Sequence, residues 1–265
     1  MSKNALCIGI NDYPGVQSDL SGCVNDVKDW AAALQERGFS VQQLLDKQAT
    51  KAGMVSAIQK LIRDAKSGDT VVLQYSGHGS YVPDEDADEE PDGRDEVLCP
   101  CDIGSNSYLT DDELYDLFSE RQAGVKIVFL SDSCHSGTVS RLAPPHQPGP
   151  HVTKIRFLPP SLFLPRDRVA AAARVARSRV VGPRPHQGLL ISGCQDTQTS
   201  ADAWFGGRPN GAFTYFALQA LKDLPAEATY SKWFSAIRQR LPSVEYAQQP
   251  NLYGTGSQKQ WRVFQ

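Results

Sequence analysis

The feature that most constrains this chain is a pair of near-continuous apolar runs, residues 70–75 (TVVLQY) and 125–130 (VKIVFL). Strands that face water on one side alternate apolar with polar residues, whereas runs without that alternation belong to strands covered on both faces. Helical patterns surround them. Residues 25–37 put Val27, Trp30, Ala31 and Leu34 on one face and stop at Gly38, and Thr50 caps a helix carrying Met54, Ile58, Leu61 and Ile62. Further strands are predicted at 6–10, 39–45 and 189–192, with a closing strand at 261–264. Further helices are predicted at 110–122, where Thr110 and Glu113 make a capping box, at 211–221 and at 230–241. This alternation predicts an α/β fold, a mostly parallel central sheet with crossover helices.

A chain of 265 residues, 40% of them hydrophobic, suffices for one such domain spanning 1–265. Its net charge of −3 offers no basic field to hold a nucleic acid, and no apolar run reaches the roughly 18 residues of a membrane span. The N-terminus reads as a strand rather than a leader peptide. Six scattered cysteines (Cys7, Cys23, Cys99, Cys101, Cys134, Cys194) make no disulfide framework and fit a reducing cytoplasm. Residues 84–96 (DEDADEEPDGRDE) read as a solvated acidic loop. Residues 141–187 hold nine prolines and eight arginines, with one helical stretch at 169–176, and read as a long exposed linker. It divides the chain into a larger piece, 1–140, and a smaller piece, 188–265, that share one sheet.

Two motifs follow directly on buried strands: Ser76-Gly77-His78-Gly79 and Asp132-Ser133-Cys134-His135-Ser136-Gly137. Sites in open α/β sheets form beyond the carboxyl ends of the strands, so the motifs meet at one edge if their strands are neighbours. The glycines admit close backbone approach and leave amides for an oxyanion. A cysteine in such a turn, with a histidine at hand, makes a nucleophile and its base. Singly, a His between glycines is usually a turn residue and a Cys after a strand is usually buried. It is their pairing at two strand ends that points to catalysis. His135 is the rival base, disfavoured because adjacent residues on a tight turn seldom face each other.

These motifs, together with Gly22-Cys23-Val24-Asn25-Asp26-Val27, Ser192-Gly193-Cys194-Gln195-Asp196 through Gln198-Thr199-Ser200-Ala201, and Gln249-Pro250-Asn251-Leu252, resemble segments of the metacaspases over nearly the whole chain. The resemblance implies the caspase-haemoglobinase fold, a mostly parallel central sheet with helices on both faces, together with a Cys134–His78 dyad and the Gly79 and Cys134 amides as oxyanion donors. It implies a monomeric cysteine endopeptidase, without prodomain, that cleaves protein or peptide substrates after Arg or Lys. Asp26, Ser76 and Asp132 are implied to line the primary specificity pocket, with Cys23 nearby. Two carboxylates in one pocket suit a cation and reject an acidic side chain. Arg156, Arg166, Arg168, Arg174, Arg177, Arg179 and Arg184 are then candidate processing sites for a zymogen cut by itself or by an upstream activating protease.

In calcium-dependent metacaspases, ligands occur where this chain has Asp95, Asp111 and Asp112. The fourth carboxylate, expected seven residues after the nucleophile, is Arg141 here. A cation at that place opposes Ca²⁺, so no obligatory cofactor is expected. Asp111 and Asp112 also suit the first turn of a helix. Zinc at Cys99-Pro-Cys101 with Cys134 and His135 is disfavoured by the single intervening residue. The alternatives are a catalytically silent caspase-like scaffold or regulatory module, a related peptidase of other specificity, and a nucleotide-binding domain. Missing Gly-x-Gly-x-x-Gly and Walker patterns speak against the last.

Overall fold

The computed structural model describes residues 1–83, 94–104, 107–135, 153–175, 187–195 and 198–265, with the side chains of 172–175 left aside. The chain runs β1 (Lys3–Gly9), α1 (Cys23–Gln35), β2 (Ser40–Leu45), α2 (Lys51–Asp64) and β3 (Thr70–Ser76). A small antiparallel sheet follows, made of β4 (Gly79–Pro83), β5 (Arg94–Leu98) and β6 (Leu109–Thr110). Then come α3 (Asp111–Ser119), β7 (Lys126–Asp132), β8 (Lys154–Ile155), α4 (Arg166–Val175) and β9 (Leu189–Ser192). The C-terminal part adds β10 (Ala201–Phe205), β11 (Arg208–Gly211), α5 (Ala212–Lys222), α6 (Tyr230–Arg238), β12 (Asn251–Tyr253) and α7 (Gly256–Lys259).

Six strands make the central sheet in the order β12-β9-β7-β3-β1-β2, parallel except for β12. Period-two alternation sorts their side chains. Leu6, Ile8, Val71, Leu73, Ile127 and Phe129 pack on one face with Met54, Ile58 and Ile62 of α2 and with Leu114 and Phe118 of α3. Ala5, Cys7, Val72, Val128, Leu130 and Ile191 pack on the other with Trp30 of α1, Phe213 of α5 and Trp233 of α6. Every residue of β3 is buried, as its lack of alternation predicts. Thr50 Oγ1 accepts from the Gly53 amide at 3.1 Å, and Thr110 and Glu113 close their capping box at 3.1 Å in each direction.

Three expectations are corrected. Residues 94–96 of the acidic stretch belong to β5, because Asp95 and Glu96 pair with Val82 and Tyr81 of β4. Residues 261–264 are not a strand: only Arg262 bridges to Thr229, and Phe264 turns back with φ of 59°. Its ring is buried among Trp30, Phe39, Tyr230 and Trp233, so burial of one aromatic decides the local conformation. The linker is not uniformly exposed. Arg156, Leu158, Phe163 and Leu164 are buried, and Lys154–Ile155 pair antiparallel with β10. Its helix, α4, does fall on the predicted stretch, beside β4.

Phe264 is expected to anchor the C-terminus. Phe264→Ala should lower the unfolding free energy by about 3–5 kcal/mol, read as a shifted urea midpoint at unchanged slope.

Candidate active site

Parallel register brings the two motifs together. Ser76 of β3 pairs with Asp132 of β7, so the turns that follow them leave the sheet side by side. A Cβ on Gly79 would overlap the Cys134 carbonyl, and only glycine permits that approach.

His78 is buried and its Nε2 lies 2.7 Å from the carbonyl oxygen of Ser18. A carbonyl only accepts, so Nε2 carries the proton and Nδ1 keeps a lone pair; Nδ1 has no hydrogen-bond partner among the described residues. Two tyrosines hold the backbone of this residue. The His78 amide donates to the Tyr13 hydroxyl at 2.8 Å, and the Tyr75 hydroxyl lies 2.7 Å from the His78 carbonyl oxygen. Burial, ahead of every other influence, lowers the imidazole from 6.5 to about 4. His135, the rival base, turns Nε2 towards Ser133 Oγ at 3.3 Å. Cys134 is buried, with Sγ 3.7 Å from the Ser200 carbonyl oxygen and in contact with the Ser200 amide.

Beside the thiol lies a closed acidic pocket, and Arg156 fills it. Its Nη2 meets Asp26 Oδ2 at 2.7 Å and Asp202 Oδ1 at 2.9 Å, and its Nη1 meets Asp132 Oδ2 at 3.2 Å, with arginine and aspartates all buried. Each carboxylate is braced. Asp132 accepts from Ser200 Oγ at 2.6 Å and Thr214 Oγ1 at 2.8 Å. Asp26 accepts from Asn210 Nδ2 and from the Gly211 amide, both at 2.9 Å, and Asp202 from the Gly22 amide at 2.9 Å. Burial pushes Asp26 up to about 7; Arg156 opposes the shift and Asp132 adds to it. Cys23 is buried within the field of Arg156 and the three aspartates, and burial raises its thiol.

The backbone of Arg156 is held as firmly as its side chain. Its carbonyl oxygen accepts from the Gly79 amide at 3.0 Å and from the Cys134 amide at 3.1 Å, and its own amide donates to the Ser200 carbonyl at 3.0 Å. Leu158 donates to the Gly79 carbonyl at 3.0 Å, and Phe157 stacks on Tyr81 with centroids 6.1 Å apart.

Of the predicted pocket residues, Asp26 and Asp132 contact the guanidinium, whereas the Ser76 hydroxyl is taken by Gln74 Nε2 at 2.8 Å. Asp202, Ser18 and Tyr13 were not singled out in the sequence, and Ser200 entered only as part of a resembling segment, without a role. Asp202 stands one residue past the Ser200-Ala201 segment and Tyr13 lies in a turn cluster, but neither carries a local signature. Among the processing candidates Arg156 is buried, Arg166 is exposed, and Arg168 Nη1 meets the Tyr108 hydroxyl at 3.2 Å. Arg174 lies in α4 with its side chain outside the described set; Arg177, Arg179, Arg184 and Arg141 lie outside the described residues. Asp95 sits in β5, and Asp111 and Asp112 open α3. Asp111 is raised to about 6, by burial first and then Asp112, and its Oδ1 has no hydrogen-bond partner among the described residues. That orphaned oxygen fits a cation ligand, yet no group of three or more His, Cys, Asp or Glu side chains among the described residues could hold a metal ion. Likewise no helix among them is long and apolar enough to cross a membrane.

Residues 2–260 match the family model of the caspase domain (peptidase C14). Metacaspase-1B of Aspergillus fumigatus is 32% identical over 293 residues, covering 94% of this chain and 69% of that protein. Metacaspase-1 of Meyerozyma guilliermondii is 31% identical over 290 residues, covering 94% and 68%. The crystal structure of protein GSU0716 from Geobacter sulfurreducens superposes with a TM-score of 0.74 at 35% identity, over 100% of this chain and 98% of that one. Caspase-1 from Spodoptera frugiperda, at 14% identity and a TM-score of 0.54, covers 96% of this chain and 85% of its own, and shows the shared fold.

The His78 environment has a measurable consequence. Its folded pKa is depressed, so the unfolded chain binds the extra proton between about 4 and 6.5, and the stability it contributes is complete above 6.5. That stability, about 3 kcal/mol, should be lost as pH falls through this window, with a His78 ring titration midpoint near 4 by NMR. A midpoint above 6 would contradict the burial argument.

Proposed function

The chain belongs to the metacaspases, within the caspase-domain family of cysteine-type peptidases, and on that premise we propose an endopeptidase that cleaves protein or peptide substrates after Arg or Lys, with Cys134 as nucleophile and His78 as its base. The observation that carries the specificity is Arg156. Its guanidinium lies among Asp26, Asp132 and Asp202 while its carbonyl oxygen accepts from the Gly79 and Cys134 amides. That is the posture of a residue before a scissile bond. An acidic side chain in this pocket would add a fourth negative charge.

In this mechanism His78 Nδ1 takes the Cys134 thiol proton and the thiolate attacks the carbonyl carbon. The two amides hold the developing oxyanion, a contact of the kind that contributes about 10²–10³ in rate. His78 returns the proton to the departing amine, and water then hydrolyses the thioester. Cleavage within residues 141–187, by the enzyme itself or by an upstream protease, is the proposed maturation step. Asp111, with its orphaned Oδ1, is the proposed contact of a bound Ca²⁺, without a strict requirement for the ion, since Asp95, Asp111 and Asp112 do not gather into a metal site among the described residues and Arg141 stands where a further carboxylate is expected.

Fluorogenic peptides ending in Arg, Lys or Asp, assayed with and without calcium, test the reading. Arg and Lys peptides should turn over, the Asp peptide should not, and Cys134→Ala should abolish the activity. Cleavage of the Asp peptide alone would remove the proposed specificity, and silence of both wild type and a folded Arg156→Ala variant would favour a scaffold.

Asp26 supplies a pH test. Ionised it attracts the cation, protonated it does not, so turnover of Arg peptides should climb as pH rises through about 7. Asp26→Asn should flatten that limb and lower kcat/KM about 100-fold, equivalent to about 3 kcal/mol for one buried partner.

A further inference from the structure

Arg156 is a residue of this same chain, and its engagement extends to both sides of the Arg156–Phe157 bond. On the amino side, Ile155 and Lys154 pair with Ala201 and Asp202 of β10, and Lys154 Nζ meets the Asp19 carbonyl oxygen at 2.6 Å. On the carboxyl side, Phe157 bridges Gly79 in parallel, Leu158 donates to the Gly79 carbonyl, and Ser80 Oγ donates to the Leu158 carbonyl at 2.6 Å. The two sides are held by different means. Leu158, Phe163 and Leu164 belong to the hydrophobic core, with α4 packed on β4 behind them. Lys154 and Ile155 are only half-buried and are held through backbone pairing and the pocket itself.

Resting on the peptidase reading above, we propose that Arg156–Phe157 is the bond this enzyme cuts in itself, and that Arg156 remains a tethered occupant of its own pocket after the cut. The site then opens when residues 154–156 withdraw, not when the bond breaks. The chemistry balances within the chain plus one water. Cys134 Sγ bonds to the Arg156 carbonyl carbon, the bond to the Phe157 nitrogen breaks, and that nitrogen leaves as an amine carrying the former thiol proton. Water then cleaves the thioester, restoring the thiol and leaving Arg156 with a free carboxylate.

Nothing in that sequence removes either end. The new Arg156 carboxylate can still accept from the Gly79 and Cys134 amides, and its guanidinium keeps three aspartates. The new Phe157 amine stays beside it, because withdrawal on that side would expose three core side chains. An incoming basic residue therefore competes with Arg156 for one pocket. Geometry also makes the cut intramolecular, since the bond is already seated.

The full chain is used for the test. Mass spectrometry of wild type should give fragments 1–156 and 157–265 at a rate independent of protein concentration, while Cys134→Ala stays intact. Cutting only at other arginines, or a rate proportional to concentration, overturns the self-cleavage. Occupancy is read separately in the uncut Cys134→Ala background, with benzamidine as the cation probe. Benzamidine should bind at least tenfold more tightly by calorimetry when Arg156→Ala is added; equal measurable affinities overturn the tethered occupant. Should Arg156→Ala not fold by thermal melting, wild type decides: peptide turnover that rises in proportion to the fraction cut overturns the proposal, and turnover independent of it supports the proposal. Benzamidine that binds neither folded variant removes the basic-residue pocket, and with it the peptidase specificity. Arg-peptide turnover in wild type with an intact 156–157 bond spares that specificity and overturns only this proposal.

Discussion

A guanidinium with no solvent exposure cannot stand alone, and Arg156 draws Asp26 from α1, Asp132 from β7 and Asp202 from β10 to one point. Burying ions costs several kcal/mol each unless partners restore what water supplied. Three carboxylates around one cation leave negative charge in excess, and hydrogen-bond donors meet part of it. The Gly211 amide and Asn210 side chain serve Asp26, Ser200 and Thr214 serve Asp132, and the Ser21 and Gly22 amides serve Asp202. These donors come from the start of α1, from β11, from the N-terminus of α5 and from the segment before β10. The pocket therefore ties the two ends of the chain across the carboxyl edge of the sheet. Burial also leaves its mark on Asp26, which is pushed up to about 7 even though Arg156 opposes the shift.

Much of this was legible in the sequence, because the relevant signals are local. Residues 70–75 lack alternation, and β3 is buried on both faces between β1 and β7. Two motifs at strand ends converge because parallel register aligns Ser76 with Asp132. The rest was hidden for a common physical reason: its partners are remote. Asp202 meets the Gly22 amide across 180 positions, and no periodicity spans such a distance. Ser18 acts through its backbone carbonyl, so its side chain announces nothing. The linker misled through composition. Its prolines and arginines read as solvated chain, but residues 157–164 (FLPPSLFL) carry apolar side chains that prolines prevent from showing any period. Three of those side chains, Leu158, Phe163 and Leu164, are core. Residues 261–264 failed in the opposite sense, since an aromatic, β-branched run suggests a strand while burial of Phe264 rewards a turn.

The orientation of His78 bears on how the proposed dyad begins its work. A cysteine and a histidine can rest as thiolate and imidazolium or as thiol and neutral imidazole. A carboxylate behind the imidazole would favour the charged pair, but here the partner is the Ser18 carbonyl, a dipole that fixes the tautomer without a full charge. Burial then works against the imidazolium, and the guanidinium of Arg156 pushes in the same direction. A ring lowered to about 4 is neutral at any physiological pH, so the imidazole is free to accept a proton. In the proposed mechanism proton transfer from Cys134 to that neutral ring accompanies attack, while the oxyanion forms between two fixed amides. A basic substrate residue of the proposed kind would bring its own cation to the place of Arg156 and restore the same field during turnover. In the proposed mechanism the cation that would select the substrate therefore adds to burial in disfavouring the imidazolium, so the proposed specificity and the proposed general-base chemistry draw on neighbouring charges.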